Sequence, residues 1–313
     1  MNCANENIKQ RKDELPRVTA VILNYNGYED TVKCIRSLQN STYSNLSFVL
    51  VDNGSPDDSG LRLKAEFPNL PIILIEENTG YAAGNNLGIR FAVEKGTDYV
   101  LVINNDVIVE PTFLEPMVNS AEKQSAVGMV TCKVYYQSVP NEIFSSAGKM
   151  NWWLCTGVNK GNYLKFMQKA ESLCYTDFAC GVLVLMRNSM LEEAGLFDEK
   201  YFMYFEDVEY SLRISSKYKI VYVPSAVAYH KSGGGKGWLN YTELYLYYHT
   251  RNRIWAFETE PWYYRFYVII FTVLISAIKS LVILINLFNY PRKTPKQLWA
   301  IWQGLRDGIL AKK

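Results

Sequence analysis

Several signatures that would announce a chemistry outright are missing from this 313-residue chain. The six cysteines, at 3, 34, 132, 155, 174 and 180, form no CxxC pair and no metal-finger spacing. That removes zinc ribbons and thioredoxin-like redox motifs and leaves buried thiols in a reduced, cytoplasmic setting as the expectation. Only His230 and His249 occur, and a lone histidine is by default a structural residue. The net charge is only +2, without a strongly basic arm or face, which argues against a nucleic-acid partner. The opening MNCANENIKQRKDELPR has no apolar core, so no secretory signal is expected there. No Walker loop is found: in the run Ser232 to Gly237 a glycine stands where Ser or Thr is required, so it reads as a flap or a solvent loop. The other glycine-rich run, 78–88, lacks GxGxxG spacing.

What the chain does have is a repeated pattern of apolar runs that stop on polar residues. Val18–Leu23 ends at Asn24-Tyr25-Asn26-Gly27, and Leu46–Val51 ends at Asp52-Asn53-Gly54-Ser55. Pro71–Ile75 ends at Glu76-Glu77-Asn78, and Tyr99–Ile103 ends at Asn104-Asn105-Asp106. Helical segments are expected between them at 28–38, 61–67 and 85–94. Alternating strands and helices in short units predict an α/β fold with a mostly parallel central sheet and right-handed crossovers. Polar residues at the end of every strand then gather at the carboxyl edge, where open α/β sheets bind ligands.

From about 127 the pattern loosens. Strands are expected at 127–130, 180–186 and 220–224, with a Trp-, Tyr- and Asn-rich segment between the first two that resembles a binding surface. A helix opening on Glu206-Asp207 covers 206–216, and an aromatic, Arg-bearing helix covers 241–257. Phe266–Phe288 is an apolar stretch of 23 residues interrupted by Lys279. At 1.5 Å per residue it would reach roughly 34 Å, enough for a bilayer core of about 30 Å. An interfacial helix or a pair of shorter helices fits equally well. The basic residues after it, Arg292, Lys293, Lys296, Arg306, Lys312 and Lys313, suit an anionic membrane face. Domains are therefore expected as a tail at 1–16, a catalytic-type unit at 17–257 with halves at about 17–110 and 111–257, and a membrane-associating extension at 258–313.

Each candidate residue carries a functional and a plain structural reading. Asp52 can accept from a base N–H or brace its own turn. The small residues of 78–88 can let backbone approach a ligand, with the N–H groups of the next helix free for anionic oxygens. Asp106 is a good ligand for a hard divalent cation, or a satisfied strand-end carboxylate. His230, between a strand and the glycine flap, could be a second ligand. Glu206 and Asp207 are either helix-end acids that suit the macrodipole or a functional pair. On the second reading the helix end keeps Asp207 ionised at neutral pH, fit to take a proton from an attacking hydroxyl.

In order and spacing these pieces resemble the family-2 inverting glycosyltransferases of the GT-A fold, especially rhamnosyltransferase-like members that build surface polysaccharides. The resemblance rests on Val21–Asn26, Val51–Ser55, Asn78–Gly88, Asn104–Asp106, Cys180-Gly181, the Phe197–Glu199 to Glu206-Asp207 run and Tyr247–Asn252. It implies a nucleotide-sugar site made by Asn24, Asn26, Asp52, Asn53, Asn78, Gly80, Asn85, Asn105 and Arg251. It implies Mg²⁺ or Mn²⁺ on Asp106, with His230 as a further metal ligand in some members, and Asp207, beside Glu206, as catalytic base. Cys180, Gly181 and Trp153 would lie on the acceptor side. One departure stands out: the family's DxD begins here with Asn104, and an amide binds a cation more weakly. The implied partners are a nucleotide-diphosphate sugar, favoured as dTDP-rhamnose, and a lipid-linked or polymeric glycan, with the protein at the cytoplasmic face of the cell membrane, held there peripherally, monotopically or by a single span. A sugar-nucleotide nucleotidyltransferase would instead need a Gly-rich basic loop after the first strand, and Asn24–Gly27 is not one. A non-catalytic membrane-anchored glycan-binding module would need neither Asp106 nor Asp207.

Overall fold

The computed structural model describes residues 15–159, 171–231, 241–285 and 294–310. The glycine flap at 232–237, Arg292, Lys293 and the last two lysines lie outside these residues. So does most of the expected tail, although Leu15 and Pro16 accept hydrogen bonds from Asn45 and Tyr43.

The first half follows the expected alternation: β1 Val18–Asn24, α1 Tyr28–Gln39, β2 Leu46–Asn53, α2 Ser59–Glu66, β3 Ile72–Ile75, α3 Gly80–Glu94 and β4 Tyr99–Asn104. β3, β2, β1 and β4 lie side by side and all parallel. Residues along each strand alternate between two cores. Ala20, Ile22, Leu101 and Ile103 face Val32, Ile35 and Leu38 of α1, while Val21, Val100 and Val102 face Ala82, Ile89 and Ala92 of α3. Burial on both faces is why these strands are continuous apolar runs rather than alternating ones. The register places Asn24 opposite Asp52 and Leu23 opposite Asn104, so the polar strand ends share one edge.

The glycine-rich run differs from its sequence reading. It is not a loop before a helix at 85; the helix starts at Gly80. A Cβ on Gly84 would lie 2.6 Å from Leu23 Cδ1, and Gly88 sits as tightly over Val21 and Val51. Gly84 and Gly88 therefore serve close packing of α3 on β1 and β2.

The second half adds β5 Val107–Val109, α4 Leu114–Glu122, β6 Val127–Tyr136, β7 Ile143–Ser145, β8 Gly148–Asn151, β9 Thr156–Asn159, β10 Cys174–Thr176, β11 Leu183–Arg187 and α5 Asn188–Ala194. It closes with α6 Glu206–Ser215 and β12 Lys219–His230. Among the described residues the large sheet runs β10-β12-β6-β11-β4-β1-β2-β3, with β11 antiparallel to both β4 and β6. Two strand expectations shift. β11 begins at Leu183, leaving Cys180 and Gly181 in the turn before it, at the same edge as Asn104. β12 runs past Pro224 through an irregularity after Val223, so His230 ends the strand rather than following it.

Three C-terminal helices complete the structure: α7 Glu243–Trp255, α8 Trp262–Ile285 and α9 Thr294–Leu310. Thr242 caps α7 by accepting from Tyr245 N–H at 3.1 Å. α8 is long and apolar enough to cross a membrane. Its faces are inverted relative to a soluble amphipathic helix: Thr272, Ser276, Lys279 and Ser280 are buried, while Phe266, Ile270, Leu274, Ile278 and Leu281 are exposed. Lys279 thus interrupts the apolar run on the face turned to the protein.

Candidate active site

At the carboxyl edge Asn24 is a fully buried hub. Its Nδ2 donates to Asp52 Oδ1 at 2.6 Å, Ser59 Oγ at 2.9 Å and Ser55 Oγ at 3.2 Å. Its Oδ1 accepts from Thr31 Oγ1 at 2.9 Å, Gly27 N–H at 3.2 Å and Asn105 Nδ2 at 3.3 Å. Every hydrogen-bonding position of that amide is taken within the protein. Asp52 is 5% exposed and also accepts from Ser55 Oγ and N–H, as the turn-bracing reading expects. Asn26 is exposed in the left-handed region at φ 54°. The carboxyl ends of β1, β2 and β4 are thereby locked together through polar side chains.

The start of α3 is equally occupied. Asn53 Oδ1 accepts from Thr79 N–H and Oγ1, both at 3.0 Å, and Asn78 Oδ1 accepts from Gly80 N–H at 2.9 Å. Tyr81 N–H donates to Phe202 O at 2.5 Å. The N–H groups of Thr79, Gly80 and Tyr81 are thus satisfied by the protein itself. Gly80 sits at φ +87°, and a Cβ there would strike the Phe202 carbonyl. Asn85 is buried one turn further, donating to Tyr81 O, its Oδ1 without a partner.

Asp106 and His230 are brought together by the β5–β12 pairing, which sets His230 opposite Val107. Asp106 Oδ1 lies 3.1 Å from His230 Nε2. Two ligands at right angles on a cation with bonds of about 2.1 Å would be roughly 3.0 Å apart, so the pair suits a small divalent ion as well as a hydrogen bond. Among the described residues no cluster of three His, Cys, Asp or Glu ligands forms, so the other positions on such an ion would fall to phosphate oxygens or water. Among the described residues Asn104 Oδ1 is buried without a partner, and Asn105 turns back to Asn24 and Thr31.

Asp207 reaches the same edge from α6. Its Oδ2 accepts from Gly181 N–H at 3.1 Å and its Oδ1 from its neighbour Val208 N–H at 2.8 Å. Tyr81 Oη donates to Gly181 O at 2.7 Å, tying α3, the turn before β11 and the start of α6 into one wall. The charges of Glu206, Asp207 and Asp106 all act on the buried Tyr81 hydroxyl, which is held well above its ordinary range, first by burial. Burial likewise raises Asp207 to about 6 against its two backbone donors. Desolvation outweighs those donors. With a pKa of about 6 roughly nine-tenths of Asp207 is ionised at pH 7. Glu206 is buried, one oxygen without a partner, and lies well above the carboxylate range through burial and the Asp207 charge. Burial, then Asp207, pushes the Cys180 thiol up to about 12, which rules it out as a thiolate nucleophile at neutral pH.

The approach to Asp207 is strained and clamped. Tyr204 and Phe205 sit consecutively at φ 65° and 69°, unfavourable for side chains of that size. Asn252, fully buried on α7, donates from Nδ2 to the carbonyls of Met203 and Tyr204, both at 2.8 Å. Arg251 donates to Asn252 Oδ1 and Lys200 O and lies 4.0 Å over the Trp255 ring. Its guanidinium thus holds the 200–205 segment, where the sequence pointed it at a diphosphate. Trp153, at the tip of the β8–β9 hairpin, is 79% exposed and its carbonyl accepts from Tyr267 of α8. Its ring also lies 6.4 Å from that of Tyr267, against the apolar helix. Thr31, Ser55, Ser59, Tyr81 and Asn252 were not singled out in the sequence. Ser55, Tyr81 and Asn252 stand inside the matching motifs, the one signal that would have flagged them.

Two cavities lie apart from this edge. A polar cleft of about 480 Å³ lies at the amino ends of β1 and β4, lined by Arg17, Thr97, Asp98 and Arg187, and holds none of the candidate residues. An apolar cavity of about 660 Å³ opens between α7 and α9, lined by Leu244, Tyr247, Tyr248 and Trp299, and Phe202 forms part of its wall.

A parallel half-sheet with a polar carboxyl edge, extended by a mixed half that returns an acid and a histidine to that edge, is the GT-A fold. The chain belongs to glycosyl transferase family 2, whose model matches residues 19–195. It is 27% identical over 241 residues to the N-acetylglucosaminyl-diphospho-decaprenol L-rhamnosyltransferase of Mycobacterium tuberculosis, covering 70% of this chain and 77% of that protein. It is 26% identical over 208 residues to the low-salt glycan biosynthesis hexosyltransferase Agl10 of Haloferax volcanii, covering 66% of this chain and 64% of that one. Among solved structures it superposes on the mannosyltransferase PcManGT of Pyrobaculum calidifontis, in complex with GDP-Man and Mn²⁺, with a TM-score of 0.56 at 15% identity, covering 96% of this chain and 89% of that one. GalNAc-T7 with UDP, GalNAc and Mn²⁺ superposes with a TM-score of 0.59 at 16% identity, covering 80% and 51%.

Proposed function

We propose that the protein is an inverting glycosyltransferase that moves a sugar from a nucleotide-diphosphate donor to a hydroxyl of a lipid-linked or polymeric glycan. The observation that carries this is the convergence on one sheet edge of Asp207, with its raised pKa, and the Asp106–His230 pair. The acceptor hydroxyl gives its proton to the Asp207 carboxylate while its oxygen attacks the anomeric carbon. The bond from that carbon to the diphosphate oxygen breaks on the opposite face, leaving the nucleotide diphosphate and inverted stereochemistry. A base titrating near the working pH combines the ionised form with enough basicity to accept the proton. Gly181 N–H and Val208 N–H hold the carboxylate in place, and the Asn252 clamp fixes the turn that delivers it. Mg²⁺ or Mn²⁺ held by Asp106 and His230 would neutralise charge on the departing diphosphate.

On the donor side Asp52, Asn26, Asn53 and Asn78 frame the nucleotide end, with Asn24 and Asn105 bracing it from beneath. dTDP-rhamnose is the favoured donor, on the family resemblance and the rhamnosyltransferase named among the relatives. The relative acting on a diphospho-decaprenol glycan and the outward apolar face of α8 favour work at the cytoplasmic membrane surface in polysaccharide synthesis. A panel of nucleotide sugars, each with Mn²⁺, tests the reading by thermal stabilisation of the purified protein. At least one dTDP-, UDP- or GDP-sugar should raise the unfolding temperature and be consumed when acceptor is added. Stabilisation by none of them would overturn the proposal.

A further inference from the structure

The interface of α7 with α8 holds a concentration of positive charge that the transfer chemistry does not use. Arg253 of α7 is 7% exposed and Lys279 of α8 is 8% exposed. Arg253 donates to Leu154 O at 3.4 Å and lies 3.3 Å from His249 Nδ1, with aromatic contacts to Phe205 and Phe271. The other charged groups acting on His249 are Arg253 and Lys279, and with burial first they hold its imidazole well below the ordinary value. His249 is thus neutral and its Nδ1 accepts from Arg253. Among the described residues no carboxylate pairs with Arg253 or Lys279. Buried cations without a counter-charge cost several kcal/mol each, and proteins seldom leave them so.

A second observation concerns the hydroxyls on the same face of α8. Thr272 is satisfied in the ordinary helical way, donating to Val268 O at 2.7 Å. Ser276 and Ser280, buried one and two turns further on, have no partner for either Oγ among the described residues. With Lys279 they occupy positions i, i+3 and i+4, one patch of helix surface. Two cations without a carboxylate partner and two hydroxyls without an acceptor among the described residues are the donor set of a phosphate. The opposite face of the helix is exposed and apolar, with Ile270, Leu274, Ile278 and Leu281 outward. A phosphate that arrives here therefore comes with an apolar chain.

We infer that Arg253, Lys279, Ser276 and Ser280 form a binding site for the phosphate or diphosphate group of a membrane lipid. Two sources share that chemistry: an anionic phospholipid headgroup and a polyprenyl-type diphosphate such as a lipid-linked acceptor would carry. The site touches the catalytic wall through Phe205, whose ring lies 5.0 Å from that of His249 and which immediately precedes Glu206. Binding there does not require the transfer reading to be right, because it is measured without turnover.

The test uses the full chain in a neutral detergent or in nanodiscs, with a chelator present so that no metal–diphosphate complex forms at the Asp106–His230 edge. Binding is measured for farnesyl diphosphate, farnesol, inorganic diphosphate, and nanodiscs of phosphatidylglycerol or phosphatidylcholine. Farnesyl diphosphate should bind at least tenfold more tightly than farnesol, and Lys279→Met should remove at least tenfold of that affinity. Lys279→Met should fold at least as stably as the parent, because it deletes an unpaired buried charge. Ser276→Ala should fold normally and lose about threefold. A Lys279-dependent preference confined to phosphatidylglycerol assigns the site to bulk lipid headgroups, whereas one confined to farnesyl diphosphate assigns it to a lipid diphosphate. Equal binding by parent and Lys279→Met in every arm, or binding of inorganic diphosphate alone, would overturn the inference. Asp207→Asn should retain lipid binding, which separates failure of this site from failure of the catalytic reading.

Discussion

Replacing Asp207 by Asn separates two properties that a purely structural carboxylate would lose together. Burial raises Asp207 from 3.8 to about 6. A folded pKa above the unfolded one means that its stabilising contribution is complete below about pH 4 and is lost as pH rises through 6. By pH 7 the charged form costs the folded state up to about 3 kcal/mol, since each pH unit of displacement corresponds to roughly 1.4 kcal/mol. The side chain keeps part of its surface open, which reduces that figure. Asn also accepts only one of the two backbone bonds now made by Gly181 and Val208, a loss of about 1 kcal/mol. A net gain of about 1 kcal/mol remains, or roughly 1–2 °C in unfolding temperature for a chain of this length. Transfer should meanwhile fall by at least 10³-fold, with nucleotide-sugar binding within a few-fold of the parent. In the parent, turnover should decline about tenfold per pH unit below 6. Calorimetry at pH 5 and pH 7, beside single-turnover assays, reads all of these. An active Asp207→Asn protein, or one destabilised more at pH 7 than at pH 5, would refute the assignment.

Four further outcomes follow from named contacts. Asn252→Ala removes two buried donations to the strained Met203–Phe205 turn and should cost about 2–4 kcal/mol in chemical denaturation, with transfer reduced more than donor binding. His230→Ala should raise at least tenfold the Mn²⁺ concentration needed for half-maximal stabilisation by a nucleotide diphosphate, and an unchanged Mn²⁺ titration would exclude it as a ligand. Gly80→Ala meets both a positive φ and the Phe202 carbonyl, so it should lower stability by more than about 2 kcal/mol. Ile270→Asp with Leu274→Asp, on the outward face of α8, should release the protein from sedimented vesicles; undiminished sedimentation would show that this face does not meet lipid.

Much of the donor half was legible in the chain itself. Strands buried on both faces write themselves as apolar runs, and the side chains that end them have only one edge to go to; Asn24, Asp52 and Asp106 could be placed there from spacing alone. What each does at that edge was not legible, because hydrogen-bond partners are distant in sequence. Asn24 spends its whole amide on Asp52, Ser55, Ser59, Thr31, Gly27 and Asn105, and the glycines of 78–88 prove to be a packing face once α3 lies over Val21 and Leu23. The same holds for Arg251, whose charge advertises a phosphate but whose guanidinium holds the 200–205 turn.

By itself, then, the sequence determined the α/β alternation, the shared edge and the presence of an acid pair at 206–207, since local periodicity and strand-end polarity carry that information. The tertiary structure alone decided which residues meet. It set His230 3.1 Å from Asp106 across 124 positions through the β5–β12 pairing, and it turned Lys279 inward, where its charge and that of Arg253 both act on His249, while the apolar side of α8 faced out. The physical reason is the same in each case: desolvation and pairing are properties of a site, and a site exists only once distant segments have packed.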